Sequence, residues 1–194
     1  MSTRNYPTGY KVPLHNVLLI SCMDLRLLDN IIHFMEYENL INRYDQYIMA
    51  GASIGALTAS ATEEDELKNI EAYKGWETGL LQHVDLAIQL HNIKDIYILE
   101  HRNCGAYKAF LKDNLGDYEE HGYDKEYNDH KKYAQRLSDR LVEYLKKHTT
   151  KPHKDLDEPD LKHDLAINVH GFLMDIRGDV RLLCTTAPFT ESVE

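Results

Sequence analysis

The sequence predicts an α/β fold: a mainly parallel central β-sheet with flanking helices and an antiparallel closing hairpin. Three observations carry this. Short apolar runs rich in β-branched and aromatic residues, Val17-Leu-Leu-Ile20 and Ile96-Tyr-Ile-Leu99, alternate with stretches whose apolar residues recur at helical spacing. Strands separated by helices need crossover connections, and these make parallel neighbours. The chain then closes on two apolar runs joined by Arg177-Gly178-Asp179, which suits a tight hairpin.

Taken in order, residues 1–13 read as a loose arm carrying Pro7, Gly9 and Pro13. The first strand covers 16–21. Leu28, Ile31, Ile32, Met35 and Leu40 then mark a helix with Asp29 near its start. A second strand covers 44–50 and runs into Ala50-Gly-Ala-Ser-Ile-Gly-Ala56, small residues that suit backbone passing close to a neighbour. Gly51 and Gly55 alone do not make a phosphate-binding fingerprint. Glu63-Glu-Asp-Glu66 reads as a solvated loop or helix start.

Trp76, Leu80, Leu81, Val84 and Ile88 set a helix over Gly75–His91, which feeds the central strand at 96–99. Tyr133, Leu137, Leu141, Tyr144 and Leu145 mark another helix within 126–148, followed by a polar connector over 151–163. Three apolar runs end the chain, at 165–169, 172–176 and 180–184. The stretch 165–172 reads as edge material, available for pairing across a two-fold axis.

Composition narrows the function. At 194 residues, one domain spanning 1–194 is the expectation, with ample chain to bury a core. The 22 basic against 32 acidic residues give a formal charge of −10, which argues against a nucleic-acid surface. No apolar run reaches membrane-spanning length, and the first residues lack the apolar core of a signal peptide. A cytoplasmic location follows as the expectation. There, three cysteines suit metal binding or free thiols better than a disulfide framework.

The chemistry concentrates after the two apolar runs. His101 and Cys104 stand three residues apart in His101-Arg-Asn-Cys-Gly105, with Asn103 as the predicted cap of a helix continuing through Ala106. Cys104 then falls in the first helical turn, where free amides and the helix dipole favour a metal-binding thiolate. A zinc site needs a third ligand, and Cys22, ending the first strand, is the best candidate. Alternation along an extended chain would put Cys22, Asp24 and Arg26 on one face. The carboxyl end of a strand is where open α/β sheets bind ligands. Cys184 has no such companions and reads as structural. The remaining histidines read mostly as solvent-facing, and His153 and His163 flank the acidic connector without forming a second metal site.

Together Cys22-Met-Asp-Leu-Arg26, Ala50-Gly51 and His101-Arg-Asn-Cys-Gly105 resemble, in order, the C-x-D-x-R, A-G and H-x-x-C-G series of the β-class carbonic anhydrases. Val169-His-Gly-Phe-Leu-Met-Asp175, Gly178 and Leu182 are similar to that family's closing strands and turn. The resemblance runs from Asn16 to Pro188. It implies one Zn2+ per chain held by Cys22, His101 and Cys104. It also implies a dyad in which Arg26 holds Asp24 off the metal while Asp24 accepts a hydrogen bond from zinc-bound hydroxide. The implied activity is reversible hydration of carbon dioxide to bicarbonate by a homodimer or dimer of dimers.

The chain also departs from that pattern. Ile48-Met49 stand where the family has Arg-Asn, and Arg102-Asn103 where Thr-Asp is common. The arm before the first strand is short. Residues 57–73 form a long segment, expected to fold over the site or a subunit seam. The apolar Ile48-Met49 pair raises a second expectation, a zinc hydrolase of carbonyl sulfide or carbon disulfide. A third is a non-catalytic, zinc-stabilised module that senses bicarbonate or organises partners. The Asp24–Arg26 pair favours an enzyme, since a purely structural site closes with a fourth protein ligand.

Overall fold

The computed structural model describes residues 4–148 and 167–186. In chain order the elements are β1 (Val17–Cys22), α1 (Leu28–Tyr37), β2 (Tyr44–Met49), α2 (Ser53–Leu57), α3 (Gly75–His91), β3 (Asp95–His101), α4 (Gly105–Phe110), α5 (Tyr118–His121), α6 (Tyr123–His148), β4 (Asn168–Met174) and β5 (Val180–Thr186). The connector at 151–163 and the run at 165–166 lie outside the described residues.

The strands form one sheet in the order β2-β1-β3-β4-β5. Every pairing is parallel except the closing β4–β5 hairpin. The predicted architecture is therefore the observed one. From β1 the chain steps outward to β2, then returns to place β3 on β1's other side. The strand order thus reverses between β1 and β3, and the crevice beyond the carboxyl ends of such a pair is the favoured ligand site of an open sheet.

Strand alternation divides the core into two layers. Leu18 and Ile20 of β1, Ile96 and Ile98 of β3, and Val169 and Leu173 of β4 pack against α2, α3, α4 and α6. Val17, Leu19, Tyr97, Leu99, Phe172 and Met174 face α1 instead. Tyr6 and Tyr10 of the amino-terminal arm pack on this second layer, so the arm is docked over residues 4–10 rather than loose. Each fully buried aliphatic side chain contributes about 1.5–3 kcal/mol, so the sandwiched sheet is the stable frame on which the loops are hung.

Several local expectations need correction. β3 runs on through His101, because its register with β4 continues to the His101–Met174 pair and Arg102 N–H donates to Met174 O at 2.9 Å. The runs expected at 165–169 and 172–176 are, within the described residues, one strand, β4. Gly171 does not break it. A Cβ there would lie 2.7 Å from Cys184 Sγ, so the glycine is what lets β5 and α6 close on the strand. β4 is also not an edge: it pairs with β3 on one side and β5 on the other, which removes the described part of that stretch, 168–172, as material for edge pairing. Leu40 falls beyond α1, which ends at Tyr37.

Two histidines read as solvent-facing, His130 and His170, are buried. Residues 57–73 do not cover the site. Leu67 pairs with Leu111, and Asp65 meets Arg136 at 3.0 Å, so the segment docks beside α4 and α6.

Candidate metal centre

β1 and β3 deliver Cys22 and His101 as their last residues, side by side at the point where strand order reverses. Cys104 follows three residues later. Asn103 adopts a left-handed conformation (φ 55°), so the chain turns one residue later than expected and Cys104 itself is the cap residue before α4. Cys104 is therefore not in the first helical turn. The turn is held by Glu126 of α6, whose carboxylate accepts Asn103 N–H at 2.6 Å and Arg102 Nε at 2.9 Å. Arg102 is thereby drawn away from the cysteines, over the ring of Tyr123.

The ligand-type atoms of Cys22, His101 and Cys104 all lie within 4.8 Å of one another, and all three residues are buried. The two sulfurs are 3.9 Å apart. Two thiolates about 2.3 Å from one tetrahedral zinc stand about 3.8 Å apart, so the spacing suits that ion. His101 Nδ1 lies 3.0 Å from the Arg102 carbonyl, which leaves Nε2 facing the sulfurs. That Nε2 is buried without a hydrogen-bond partner among the described residues. A buried polar atom without a partner is costly, and a metal ion would satisfy it. The donor set fits zinc.

The electrostatics agree. The contact with the Cys104 sulfur holds the Cys22 pKa low against the effect of burial, with His101 and the Gly51 N–H (3.3 Å) adding to the shift. Cys104 is pushed up by that same contact and by burial. Burial lowers the His101 pKa, but the adjacent Cys22 sulfur outweighs it and the net shift is upward.

Asp24 and Arg26 do come together beside the sulfurs, but not by strand alternation, because β1 ends at Cys22. Instead Asp24 Oδ1 accepts the Arg26 backbone N–H at 3.0 Å, a local turn that ends the strand. Arg26 then grips the carboxylate with Nε and Nη2 and holds its pKa down to about 2. Asp24 Oδ2 lies 3.9 Å from His101 Nε2.

A cavity of about 560 Å³ opens over this group, with Cys22, Cys104, Asp24 and Arg26 among its lining residues and Leu25, Ala106 and Phe110 giving it apolar walls. Ile48 and Met49 do not line it. Ile48 is exposed on the edge strand β2, and Met49 packs in the core.

Four participants were not legible as such in the sequence. The Gly51 N–H meets Cys22, the Asn103 carbonyl accepts Arg26 Nη2 at 3.1 Å, and Glu100 and Glu126 lie buried behind the ligands. The one available signal was Glu100 itself, an acidic residue closing the apolar run Ile96–Leu99.

No family model matches the chain. An uncharacterised protein of Rickettsia conorii is 32% identical over 96 residues, which is 50% of this chain and 45% of that protein. The chain spans about half the length of the curated relatives it matches. Among solved structures it is similar to the carbonic anhydrase from Streptococcus mutans, with 16% identity, coverage of 91% of this chain and 88% of that one, and a TM-score of 0.45. It is also similar to Coccomyxa β-carbonic anhydrase, solved in complex with acetazolamide, with 17% identity, coverage of 90% and 74%, and a TM-score of 0.43.

Proposed function

We propose that this chain is a zinc enzyme that reversibly hydrates carbon dioxide to bicarbonate. The observation that carries the reading is the buried Cys22–His101–Cys104 group, its ligand atoms within 4.8 Å of one another, beside a carboxylate clamped by Arg26. Cys22, His101 and Cys104 would hold zinc with a fourth position left open, and the ion would supply water of pKa lowered toward about 7. Asp24, ionised throughout the neutral range, is the acceptor that orients the attacking oxygen. Arg26 fixes that acceptor and keeps it from closing the site as a fourth ligand. The apolar walls at Leu25, Ala106 and Phe110 suit an uncharged substrate.

The same walls favour a second reading, hydrolysis of carbonyl sulfide or carbon disulfide with the same ligands and dyad. Ile48 and Met49 no longer support it, because they lie outside the cavity. Stopped-flow assays on zinc-replete protein separate the two. Proton release on mixing with carbon dioxide supports the first, and sulfide release from carbonyl sulfide supports the second. Zinc-replete protein inert toward both overturns the catalytic reading.

One zinc per chain, a single domain over 1–194, a homodimer or dimer of dimers, and a cytoplasmic setting belong to the same proposal. Among the described residues no helix is long and apolar enough to cross a membrane. Light scattering that reports a fully active monomer would remove the oligomer from it.

A further inference from the structure

One buried carboxylate stands next to His101 and is bonded to the elements packed behind Cys22 and Cys104. Glu100 is 1% exposed and sits one residue before His101 at the end of β3. Its Oε1 accepts the Ser53 N–H at 3.0 Å. Its Oε2 accepts the Tyr107 O–H at 3.1 Å and lies 3.1 Å from His130 Nδ1.

Each partner leads to the metal centre. Ser53 opens α2 two residues after Gly51, whose N–H donates to Cys22 Sγ at 3.3 Å. Tyr107 stands on α4 three residues after Cys104, and its N–H bonds the Cys104 carbonyl at 3.1 Å. His130 lies on α6 four residues after Glu126, the carboxylate that holds Asn103 N–H. One side chain is therefore bonded to the turn behind Cys22 and to the helix behind Cys104, and is covalently next to His101.

Packing alone does not account for an acidic side chain at this position. Burying a carboxylate is costly, and a well-packed apolar residue of similar size is often as stable or more so. What a carboxylate adds is two acceptor oxygens in one plane, able to hold polar partners from three elements at fixed spacing.

We propose that Glu100 is a positioning residue of the Cys22–His101–Cys104 metal centre. It sets the Gly51 N–H against Cys22 and the start of α4 against β3, and so fixes the separation of the ligand atoms. This rests on the metal-binding part of the function proposed above and not on the substrate.

The test is Glu100→Gln, which keeps the shape but replaces one acceptor oxygen with an NH2 group, so the paired acceptors that hold Ser53 N–H and Tyr107 O–H are no longer both present. Tyr107→Phe, which removes a single bond, is the milder second variant if the first fails to fold. Leu141→Ala, a cavity in the same core layer, is the control for general loosening. In metal-free protein, amide exchange at Gly51 should accelerate at least tenfold in Glu100→Gln relative to Leu141→Ala. Cobalt affinity should fall about 10–100-fold, with a shifted thiolate-to-cobalt absorption band. Tyr107→Phe should move both readouts less, in the same direction.

An unchanged cobalt band and affinity in a folded variant overturns the inference. So does Gly51 exchange no faster than in the control. Wild-type protein that takes up neither cobalt nor zinc overturns the metal-binding reading itself and this inference with it.

Discussion

Arg26 holds Asp24 in a two-pronged clamp, Nε on Oδ1 at 2.8 Å and Nη2 on Oδ2 at 2.6 Å, with Nη2 also on the Asn103 carbonyl at 3.1 Å. The arginine side chain is 45% exposed, so as a stabilising ion pair the clamp contributes no more than about 1 kcal/mol. Its value is geometric. Asp24 Oδ2 already stands 3.9 Å from the ligand atom of His101, and two ligand atoms of one tetrahedral zinc are about 3.4 Å apart when both are N or O.

A small swing would therefore make Asp24 a fourth ligand. Arg26→Ala should keep its zinc, lose turnover at least a hundredfold, and show the cobalt spectrum of a closed site. Asp24→Ala should keep zinc and an open position while losing about 10²–10⁴-fold in rate. Turnover at wild-type level in both variants would reduce the clamp to an ordinary ion pair.

Cys22→Ser and Cys104→Ser should each drop metal content from about one per chain to near zero. Binding that requires the folded site stabilises the fold by about 2.7 kcal/mol when free metal is a hundred times Kd. A chelator should therefore lower the melting temperature of the wild type and leave that of either variant unmoved. Elemental analysis and thermal unfolding with and without chelator check this. Full zinc in either variant would remove that cysteine from the site.

The sequence made the frame and the candidate ligand group legible because both depend on local signals. Helical spacing from Trp76 to Ile88 gave α3 the same bounds as the structure, and the polar clusters after two strands marked the carboxyl edge of the sheet. What escaped depended on partners distant in sequence. His130 and His170 are polar by type, yet Glu100 and Thr185 meet them inside. The runs 165–169 and 172–176 read as separate, because the Cys184 sulfur that the missing Cβ of Gly171 makes room for lies on another strand. Asp24 and Arg26 were correctly grouped for the wrong reason: a side-chain bond to the backbone ends the strand, a competition that periodicity does not reveal.

Gly51 has φ +75°, and a Cβ there would stand 2.6 Å from both Ala106 Cβ and Ile54 Cγ2. Left-handed backbone costs a non-glycine residue about 1–2 kcal/mol, and overpacking adds about 1–3. Gly51→Ala should therefore lower the melting temperature by several degrees in metal-free protein. It should also pull the Gly51 N–H away from Cys22 and weaken metal binding. Gly105→Ala is the matched control, since a Cβ there meets nothing within 4 Å. Equal melting temperatures for the two variants would contradict the account of the turn.

Glu38 caps the carboxyl end of α1 and is 1% exposed, facing Tyr10, Tyr97 and His170. The Tyr97 hydroxyl is 3.4 Å from Oε2, while Oε1 has no hydrogen-bond partner among the described residues. Burial raises its pKa above the ordinary 4.5, against the smaller lowering effects of the two tyrosines and His170. Between the ordinary and the raised value the folded chain binds more protons than the unfolded one, so stability falls as pH rises there. The contribution is fully present below the ordinary value and is lost as pH climbs through the raised one. Glutamine mimics the protonated acid and does not titrate. Wild type should accordingly be most stable relative to Glu38→Gln at pH 4 and lose ground toward pH 7, at no more than about 1.4 kcal/mol per pH unit. Titrations of groups that do not face Glu38 are common to both proteins and cancel in the difference. Urea unfolding of the pair at pH 4, 5.5 and 7 measures it. A difference that stays flat, or that moves in favour of the wild type with rising pH, would mean Glu38 carries its charge in the fold at little cost.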